Sequence, residues 1–366
     1  MSVYLTMIFL TLVFSVFAMK YSTVTGTDIK KRVPAKFFVF LILTVWCSIY
    51  AFRYFVGSDF RNYYNTFNGI IDNKMSLTEF ISTQRDSLYG YLSFFSSKLF
   101  NGNWIIFSYI CSFLSYFPVV YVLYKKSTDF VMSMLLYIFT FTYFSAFNGV
   151  RQSISLSLIF LAYYCFLKEK KYFLYVIFVL IAFGFHATTL IAIPFQLLSL
   201  KPLNSKLFKV TVVLLLFSYL FLWNIWSYVI DFLEFIGQSK LATDYDSLSQ
   251  DGSGVVRFLV NVIPPVLGLL FYKKIKTHYS DIDSEIILLC IAAILSMFSL
   301  KNWIFSRIAA YLKISAILFL PKLECIFDSK SKKMGRFLIL FLYFAYMCAL
   351  LLHGDGQVLP YRFIGF

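Results

Sequence analysis

Two polar side chains interrupt long apolar stretches of the sequence, and both are of types that do chemistry. Arg151 follows Asn148 and Gly149 at the start of an apolar run, and His186 separates two short apolar runs. An arginine presents a rigid fork of donors that matches a phosphate or diphosphate, and a histidine can move protons near neutral pH. Because charges near a bilayer are costly, such residues are candidates for a functional site. Together they predict a site for a membrane-embedded phosphorylated lipid.

Both residues also have a simpler structural interpretation. Arg151 could extend to the lipid headgroups, and His186 could be a hydrogen-bonded core residue. However, a basic group at a helix start opposes the helix dipole, so ordinary capping does not explain Arg151. The free backbone donors at this helix start, with Gln152 beside Arg151, favour an anion-binding site. His186 is predicted on the same side of the membrane, where it is placed for proton transfer or substrate positioning.

A second group of candidates lies later in the chain. Arg307 stands just inside an apolar run, and Tyr311 follows four residues later on the same helical face. A charge below the membrane surface needs a partner or a cavity, which favours a binding role for Arg307. Arg257 occupies a similar place in another run, but so near its end that extension to the headgroups explains it almost as well.

An acid and several aromatic residues follow the second apolar run directly. Asp59 could act as a general base or accept a hydrogen bond from a sugar hydroxyl. Tyr63 and Tyr64 could form a stacking wall for sugars. The alternative is that Asp59 caps a helix and the tyrosines belong to an aromatic belt at the membrane interface.

No metal or cofactor is expected from the sequence motifs. The acid pair of Asp281 and Asp283 has metal-binding spacing, but it precedes a predicted helix whose first turn favours acids. No phosphate-binding glycine loop, zinc helix or Ser/His/Asp arrangement is present. The six cysteines lie in apolar segments and contain no CxxC pair, so they are interpreted as small hydrophobes.

The elements that position these residues are predicted to be membrane-spanning helices. The 366 residues are 60% hydrophobic and only 14% charged, which indicates an all-α polytopic integral membrane protein with one transmembrane domain, residues 1–366. About 12 spans are predicted, of which 172–185 and 187–200 are short enough to form a re-entrant or tilted hairpin. The spans lie near 2–19, 37–56, 103–124, 129–147, 150–167, 172–185, 187–200, 208–230, 255–272, 284–300, 303–320 and 337–352.

The net charge of +15 predicts membrane orientation rather than nucleic-acid binding. The basic residues form short clusters in alternate loops, as the positive-inside rule expects of cytoplasmic loops. Both termini and the long loops near 57–102 and 231–254 are then external, together with Arg151 and His186. Segment 86–100 is too short to span and is predicted to lie at the membrane interface as a helix.

The candidate residues resemble the pattern of a known family. An Asn-x-x-Arg-Gln element at Asn148 to Gln152, followed by Phe-His-x-Thr at Phe185 to Thr188 with Pro194 beyond, resembles the EpsG family. That family groups with the Wzy-type polysaccharide polymerases of bacteria. The loop from Gly57 to Tyr64 and the terminal Pro360-Tyr361 also match its pattern, so the resemblance spans nearly the whole chain.

The resemblance implies an O-antigen or capsular polysaccharide polymerase of the bacterial inner membrane, with a GT-C-like glycosyltransferase architecture and its active site facing the periplasm. An undecaprenyl-diphosphate-linked oligosaccharide would serve as donor and another as acceptor, beside membrane lipid, without nucleic acid. A chain-length regulator protein is a further partner compatible with this role. A transporter of lipid-linked oligosaccharide, an O-antigen ligase and a membrane acyltransferase remain alternatives.

The implied chemistry assigns a hypothetical role to each candidate residue. Arg151 and Arg307 would hold the leaving diphosphate, with Gln152 orienting it. His186 or Asp59 would activate the acceptor hydroxyl. We favour Asp59 as the base, because a histidine near a diphosphate is drawn toward its charged form and is then a better ligand than base. Further binding residues are predicted at Asn148, Tyr63, Tyr64, Arg257 and Tyr311.

Overall fold

The computed structural model describes residues 1–25, 31–221, 231, 252 and 254–364. These residues form two compact units, each with its own packed helices. The first unit combines Met1–Leu190 with Leu320–Phe366, and the second comprises Ile191–Phe319. The acidic loop predicted near 231–254 lies almost entirely outside the described residues. The expectation of one transmembrane domain remains a prediction.

The first unit is built from helices, and its α-helices outside the predicted loop 57–102 overlap the predicted apolar runs. Its helices up to residue 126 are α1 (Ser2–Lys20), α2 (Lys36–Ala51), α3 (Phe60–Asp72), α4 (Leu77–Thr83), α5 (Ser87–Leu99) and α6 (Trp104–Lys126). It continues with α7 (Phe130–Phe139), α8 (Thr142–Ser145), α9 (Val150–Ala162), a π-helical turn (Tyr163–Leu167) and α10 (Tyr172–Phe185). A 3₁₀ turn (Ala187–Ile191) follows α10 and runs into the second unit.

Between α1 and α2 the chain forms a feature that hydropathy did not predict. Strands β1 (Thr23–Thr25) and β2 (Lys31–Val33) pair antiparallel in the polar loop. This pairing satisfies backbone groups of the two strands, whose polar residues do not suit the membrane interior.

The core of the first unit is aromatic. Helix α6 packs against α2 and α9, and Trp46, Tyr116 and Tyr143 are fully buried among them. Their polar atoms are satisfied internally, since the Tyr143 hydroxyl donates to the Trp46 carbonyl at 3.0 Å. Trp46 in turn donates its indole N–H to Thr11 on α1 at 2.9 Å. These bonds join α1, α2 and α8 without exposing a polar group to lipid.

Helices α3, α4 and α5 form a small packed group in the loop predicted near 57–102. Ile70, Phe80 and Phe94, one from each helix, make its apolar core. Helix α4 begins at a reciprocal cap in which Ser76 and Glu79 each satisfy the other's backbone N–H. The predicted helix over 86–100 is confirmed as α5. Its residues Tyr91, Phe95 and Leu99 are exposed along one stripe, as expected of an interfacial helix.

The second unit and the end of the chain contain the remaining helices. In the second unit lie α11 (Ala192–Leu198), α12 (Lys206–Leu220), α13 (Val255–Leu270), α14 (Tyr272–His278), α15 (Asp283–Phe298), α16 (Ile304–Lys313) and α17 (Ala316–Phe319). A 3₁₀ segment (Leu320–Ile326), α18 (Lys332–His353) and a 3₁₀ turn (Asp355–Gln357) return to the first unit.

The described helices support a polytopic membrane protein, whereas the predicted count of about 12 spans remains a prediction. Five helical segments are long and apolar enough to cross a membrane: Ser2–Lys20, Trp104–Lys126, Val150–Leu167, Ile304–Ile326 and Lys332–His353. A sixth is formed if Val255–Leu270 and Tyr272–His278, bent by 77°, count as one span. Several other predicted spans are shorter apolar helices, because breaks such as the left-handed Phe141 (φ 66°) interrupt them.

Hydrogen bonds in the first unit agree with the predicted grouping of loops. The Tyr4 hydroxyl donates to the Val358 carbonyl at 2.7 Å, so both ends of the chain lie on one side. On the lysine-rich side, Arg336 pairs with Asp129 at 2.7 Å, and Lys126 pairs with Glu169 at 2.6 Å. These contacts bring together three lysine-rich loops of the first unit, while the segregation of the other loops and the side that faces the periplasm remain predictions.

Candidate functional site

Arg151 and His186 both contact a buried carboxylate, that of Asp86. An Nη atom of Arg151 donates to Asp86 Oδ2 at 2.8 Å. The same oxygen lies 3.5 Å from Nδ1 of His186. The Asp86 side chain is only 3% exposed, whereas that of Arg151 remains 30% exposed. The arrangement is therefore a buried anion that joins a cation to an imidazole, with part of the cation accessible.

Close packing of two helices brings Asp86 to His186. Asp86 precedes α5, His186 ends α10, and these helices are in contact. A Cβ atom at Gly184 would lie 2.5 Å from the nearest atom of Leu88, so only glycine permits this approach. A larger residue at 184 would push apart the helices that carry the two polar groups.

A second link holds the His186 turn against the helix that carries Arg151. The hydroxyls of Ser155 on α9 and Thr189 are hydrogen-bonded to each other. Thr189 is also within hydrogen-bond distance of the His186 carbonyl, at 2.7 Å. Both side chains are fully buried, so the link is protected from water. It fixes α9 and the turn after α10 in one arrangement.

Tyr63 is a further neighbour of Arg151. Its hydroxyl is hydrogen-bonded to the guanidinium, and its ring makes an edge contact with Tyr89, with 5.8 Å between ring centroids. The structure thus brings one predicted sugar-stacking residue to the predicted anion ligand. Tyr64 lies elsewhere, stacked on Phe60 at 5.7 Å and edge-on to Trp104 at 5.3 Å.

Asn148 connects the loop after α2 to the end of the chain. Its side-chain amide donates to the Gly356 carbonyl at 2.9 Å. A Cβ atom at Gly57, whose φ is +99°, would lie 2.6 Å from the Asn148 side-chain oxygen. This close approach and left-handed backbone require glycine at position 57. Asn148 therefore links the loop at Gly57 to the turn at Gly356, and its contact with substrate remains a prediction.

Beneath this loop lies a buried arginine that the sequence reasoning missed. Arg53 is 1% exposed and donates to the carbonyls of Tyr50 at 3.0 Å and Phe147 at 3.4 Å. Its guanidinium also lies 3.6 Å from the centre of the Tyr50 ring. Carbonyl oxygens at the end of α2 are electron-rich, so they stabilise the cation there. Arg53 holds the turn before Asn148 in place.

Asp59 precedes Asp86 in the chain, and Gln152 directly follows Arg151. Asp59 stands at the N-cap position of α3, as the capping interpretation predicted, but its carboxylate makes no cap hydrogen bond. It accepts a hydrogen bond from Ser58 at 3.2 Å and is partly exposed. Gln152 lies in the first turn of α9, beside Gly149. Their catalytic and orienting roles remain predictions.

The other predicted ligands belong to the second unit. The Arg307 guanidinium lies 4.4 Å from the centre of the ring of Trp303, the N-cap residue of α16. Arg307 is exposed, while Tyr311, four residues later, is 2% exposed. Arg257 lies in the first turn of α13 and is half-buried. The binding roles of the two arginines remain predictions, and Tyr311 is buried among the helices of its unit.

The acid pair at 281–283 is used structurally. The Asp283 carboxylate accepts from Lys276 at 2.6 Å, from the Tyr272 hydroxyl at 2.9 Å and from the Leu203 N–H at 3.1 Å. It lies in the first turn of α15, as the sequence predicted. No group of three or more His, Cys, Asp or Glu side chains in the described part of the chain could hold a metal ion.

Asp86 carries the site, yet sequence reasoning treated it only as the start of an interfacial helix. One signal was available: an aspartate before Ser87-Leu88-Tyr89 in a loop predicted on the same side as Arg151. The role of Asp86 was not predicted, because an aspartate just before a helix is usually an ordinary N-cap residue. In the structure its side chain makes no cap hydrogen bond, because the carboxylate is directed to Arg151 and His186 instead.

Comparison with known proteins supports the family resemblance that the sequence motifs indicated. No protein of curated function and no solved structure shows a significant match to the chain. One family model does match, and it covers residues 36–363, which include Asp86, Arg151 and His186. With nearly the whole sequence matched, the chain belongs to the EpsG family.

Proposed function

We propose that the protein is a polysaccharide polymerase of the bacterial inner membrane. It transfers an oligosaccharide from undecaprenyl diphosphate to the non-reducing end of another lipid-linked repeat unit, on the periplasmic face. Family membership supports glycosyl transfer in polysaccharide synthesis. The observation that carries the proposal is the Asp86 carboxylate bonded to Arg151 and adjacent to His186.

The reaction requires one bond to break and one to form. The bond between the sugar's anomeric carbon and the diphosphate oxygen breaks, and undecaprenyl diphosphate leaves. The anomeric carbon bonds to the acceptor's hydroxyl oxygen, and the hydroxyl proton moves to a base. The protein must therefore stabilise the additional negative charge on the departing diphosphate and accept one proton.

Arg151 is suited to the departing diphosphate. Asp86 and Tyr63 fix the guanidinium, and the side chain stays 30% exposed. A fixed guanidinium with accessible donors meets developing charge without reorganising. The roles predicted from the sequence for Arg307 and Arg257 as diphosphate ligands remain predictions. Electrostatic stabilisation by donors of this kind contributes about 3–4 kcal/mol per group in enzymes.

The Asp86 carboxylate also orients His186 for proton transfer. An ionised carboxylate only accepts hydrogen bonds, so Nδ1 carries the proton when it binds Asp86. In a neutral imidazole this leaves Nε2 as the acceptor for the sugar hydroxyl proton. The distance of 3.5 Å to Asp86 is long, as catalytic hydrogen bonds often are before substrate binds. Asp59 remains the alternative base.

Gel analysis of surface glycan from a deletion strain tests the function. Loss of long chains with a single-repeat product retained is expected for a polymerase. Loss of all surface glycan would instead indicate a transporter or a ligase. Complementation with wild-type protein should restore long chains, and complementation with Arg151→Ala at equal membrane level should not. Full restoration by Arg151→Ala would remove the Asp86 cluster from the proposal.

A further inference from the structure

A cavity of about 530 Å³ opens at the far end of α9 from Arg151. It lies between the last turns of α6 and the π-helical turn Tyr163–Leu167, and Phe117, Tyr121, Lys125, Lys126, Glu169 and Lys171 contribute to its walls. A π-helical turn is rare and widens a helix locally, and such turns occur frequently at functional sites. Because the cavity is remote from the residues proposed to act in the reaction, we expect it to have a different role.

The mouth of this cavity carries excess positive charge. Lys126 and Lys171 both bind the Glu169 carboxylate, each at 2.6 Å. Hydrogen bonds from these lysines lower the pKa of Glu169 to about 2, so the carboxylate is ionised throughout the physiological range. Lys125 adds a third ammonium, 5.9 Å from the centre of the Tyr121 ring. Three lysines around one carboxylate leave a net attraction for an anion.

An apolar stripe runs from this charged mouth along α6. Phe113, Phe117 and Tyr121 recur every four residues and are 45%, 40% and 38% exposed. Their rings form a continuous ladder, with 4.9 Å and 6.1 Å between successive centroids. Aromatic surface of this kind on a membrane-spanning helix faces the acyl chains. A soluble anion would not contact this apolar stripe, whereas an anionic lipid would contact both the lysines and the stripe.

We propose that this groove binds an anionic phospholipid of the lysine-rich, predicted cytoplasmic leaflet. The phosphate lies among Lys125, Lys126 and Lys171, and one acyl chain follows Phe113, Phe117 and Tyr121. Basic pockets between membrane helices on this side recognise anionic headgroups in this way. A zwitterionic lipid fills the apolar stripe equally well, but its own cation repels the lysines.

Native mass spectrometry of the purified full-length protein in non-ionic detergent tests the site. Phosphatidylglycerol and phosphatidylcholine with identical acyl chains are titrated separately. The site variant carries Lys125→Gln, Lys126→Gln and Lys171→Gln. Its matched control removes the same charge elsewhere on the lysine-rich face, through Lys206→Gln, Lys330→Gln and Lys333→Gln. Each lysine near an anionic headgroup contributes about a factor of five, so the site variant should raise the Kd for phosphatidylglycerol roughly tenfold to a hundredfold.

A second variant gives the opposite sign and keeps the proposal testable if the triple variant unfolds. Glu169→Gln removes the competing carboxylate and should bind phosphatidylglycerol several-fold more tightly. Phe117→Ala should weaken binding of both lipids. Equal affinity of the wild type for both lipids would overturn the proposal, as would equal weakening in the control or weaker binding by Glu169→Gln. Complete displacement of lipid by inorganic phosphate would reassign the site to a soluble anion and also overturn it.

Discussion

The carboxylate of Asp86 lies 2.8 Å from the guanidinium of Arg151, although 65 residues separate them in the chain. The same oxygen atom approaches His186. An arginine and a histidine proposed to meet an anionic substrate are thus joined by an anion that the protein supplies. This carboxylate fixes the orientation of both partners and reduces the net charge of the cluster, so substrate must use the donors that remain exposed.

Asp86→Asn should reduce polymer formation by about two orders of magnitude or more. The amide keeps the shape of the side chain but loses the charge that orients Arg151 and His186, and oriented acid–base groups contribute roughly 10²–10⁴-fold. Turnover is measured with reconstituted protein and purified lipid-linked repeat units. Asp72→Asn, at an exposed carboxylate that ends α3, is the matched control and should keep wild-type turnover. Undiminished turnover by Asp86→Asn at normal protein level contradicts this role.

Arg151→Lys should be severely impaired, close to Arg151→Ala, while membrane insertion stays normal. A lysine keeps the charge but cannot hold Asp86 and Tyr63 and still present a second donor to a diphosphate. Polymer length on gels and protein level in membranes are the measurements. Arg32→Lys in the exposed strand β2 controls for arginine loss and should behave as wild type. Near-normal polymer from Arg151→Lys would reduce Arg151 to a generic positive anchor.

Gly184→Ala should impair polymer formation through packing alone. Its Cβ would meet Leu88 at 2.5 Å, and overpacking of this kind costs about 1–3 kcal/mol. The strain separates α5 from α10 and hence Asp86 from His186. Leu88→Ala introduced into the Gly184→Ala protein removes the shortest contacts, leaves 3.3 Å to the Cβ of residue 88, and should restore most of the activity. If the double variant is no better than Gly184→Ala, the close approach at Leu88 does not position Asp86.

Local patterns in the sequence predicted much of this fold. Apolar runs located the helices, because a membrane-spanning segment needs a continuous stretch of apolar residues that is visible in one window. The helix α5 and the first-turn position of Asp283 were also confirmed. The hairpin of β1 and β2 was missed, since its short polar strands have no hydropathy signal.

The centre of the site could not be predicted for a different reason. Arg151 and His186 are visible because they interrupt apolar runs, whereas Asp86 lies in a polar loop where an aspartate is ordinary. Its significance depends on a tertiary contact made possible by Gly184. Arg53 was missed similarly, because its partners are carbonyls and rings, and their proximity comes from folding. Spacing along the chain carries no information about such contacts.

The predicted orientation has a direct test in single introduced cysteines near Ser247 and near Ser331, in a background without the native cysteines. Both termini and the 231–254 loop are expected to be periplasmic, because the lysine clusters segregate to the other side. In intact spheroplasts a membrane-impermeant thiol reagent should label position 247 and spare position 331. Permeabilised cells, in which both positions should react, are the control. The reverse pattern would invert the orientation.

The remaining question is which group accepts the proton, and Asp59 and His186 can be separated by binding and turnover. If Asp59 is the base, as the sequence favours, Asp59→Asn should bind the lipid-linked donor normally and lose turnover by about 10²-fold or more. His186→Ala should then weaken donor binding, since its imidazole acts beside Arg151 as a ligand. The contacts in the first unit favour His186 as the base, because its imidazole lies beside the Asp86 carboxylate. The Asp59 carboxylate instead accepts a hydrogen bond from Ser58.

If His186 is the base, His186→Ala should retain donor binding and lose turnover, while Asp59→Asn stays active. Donor binding is measured with a labelled lipid-linked repeat unit and turnover with unlabelled acceptor present. Asp72→Asn again provides the matched carboxylate control. Loss of turnover in both variants with donor binding intact would show that neither residue acts alone. The proton would then pass between two groups before it leaves the site.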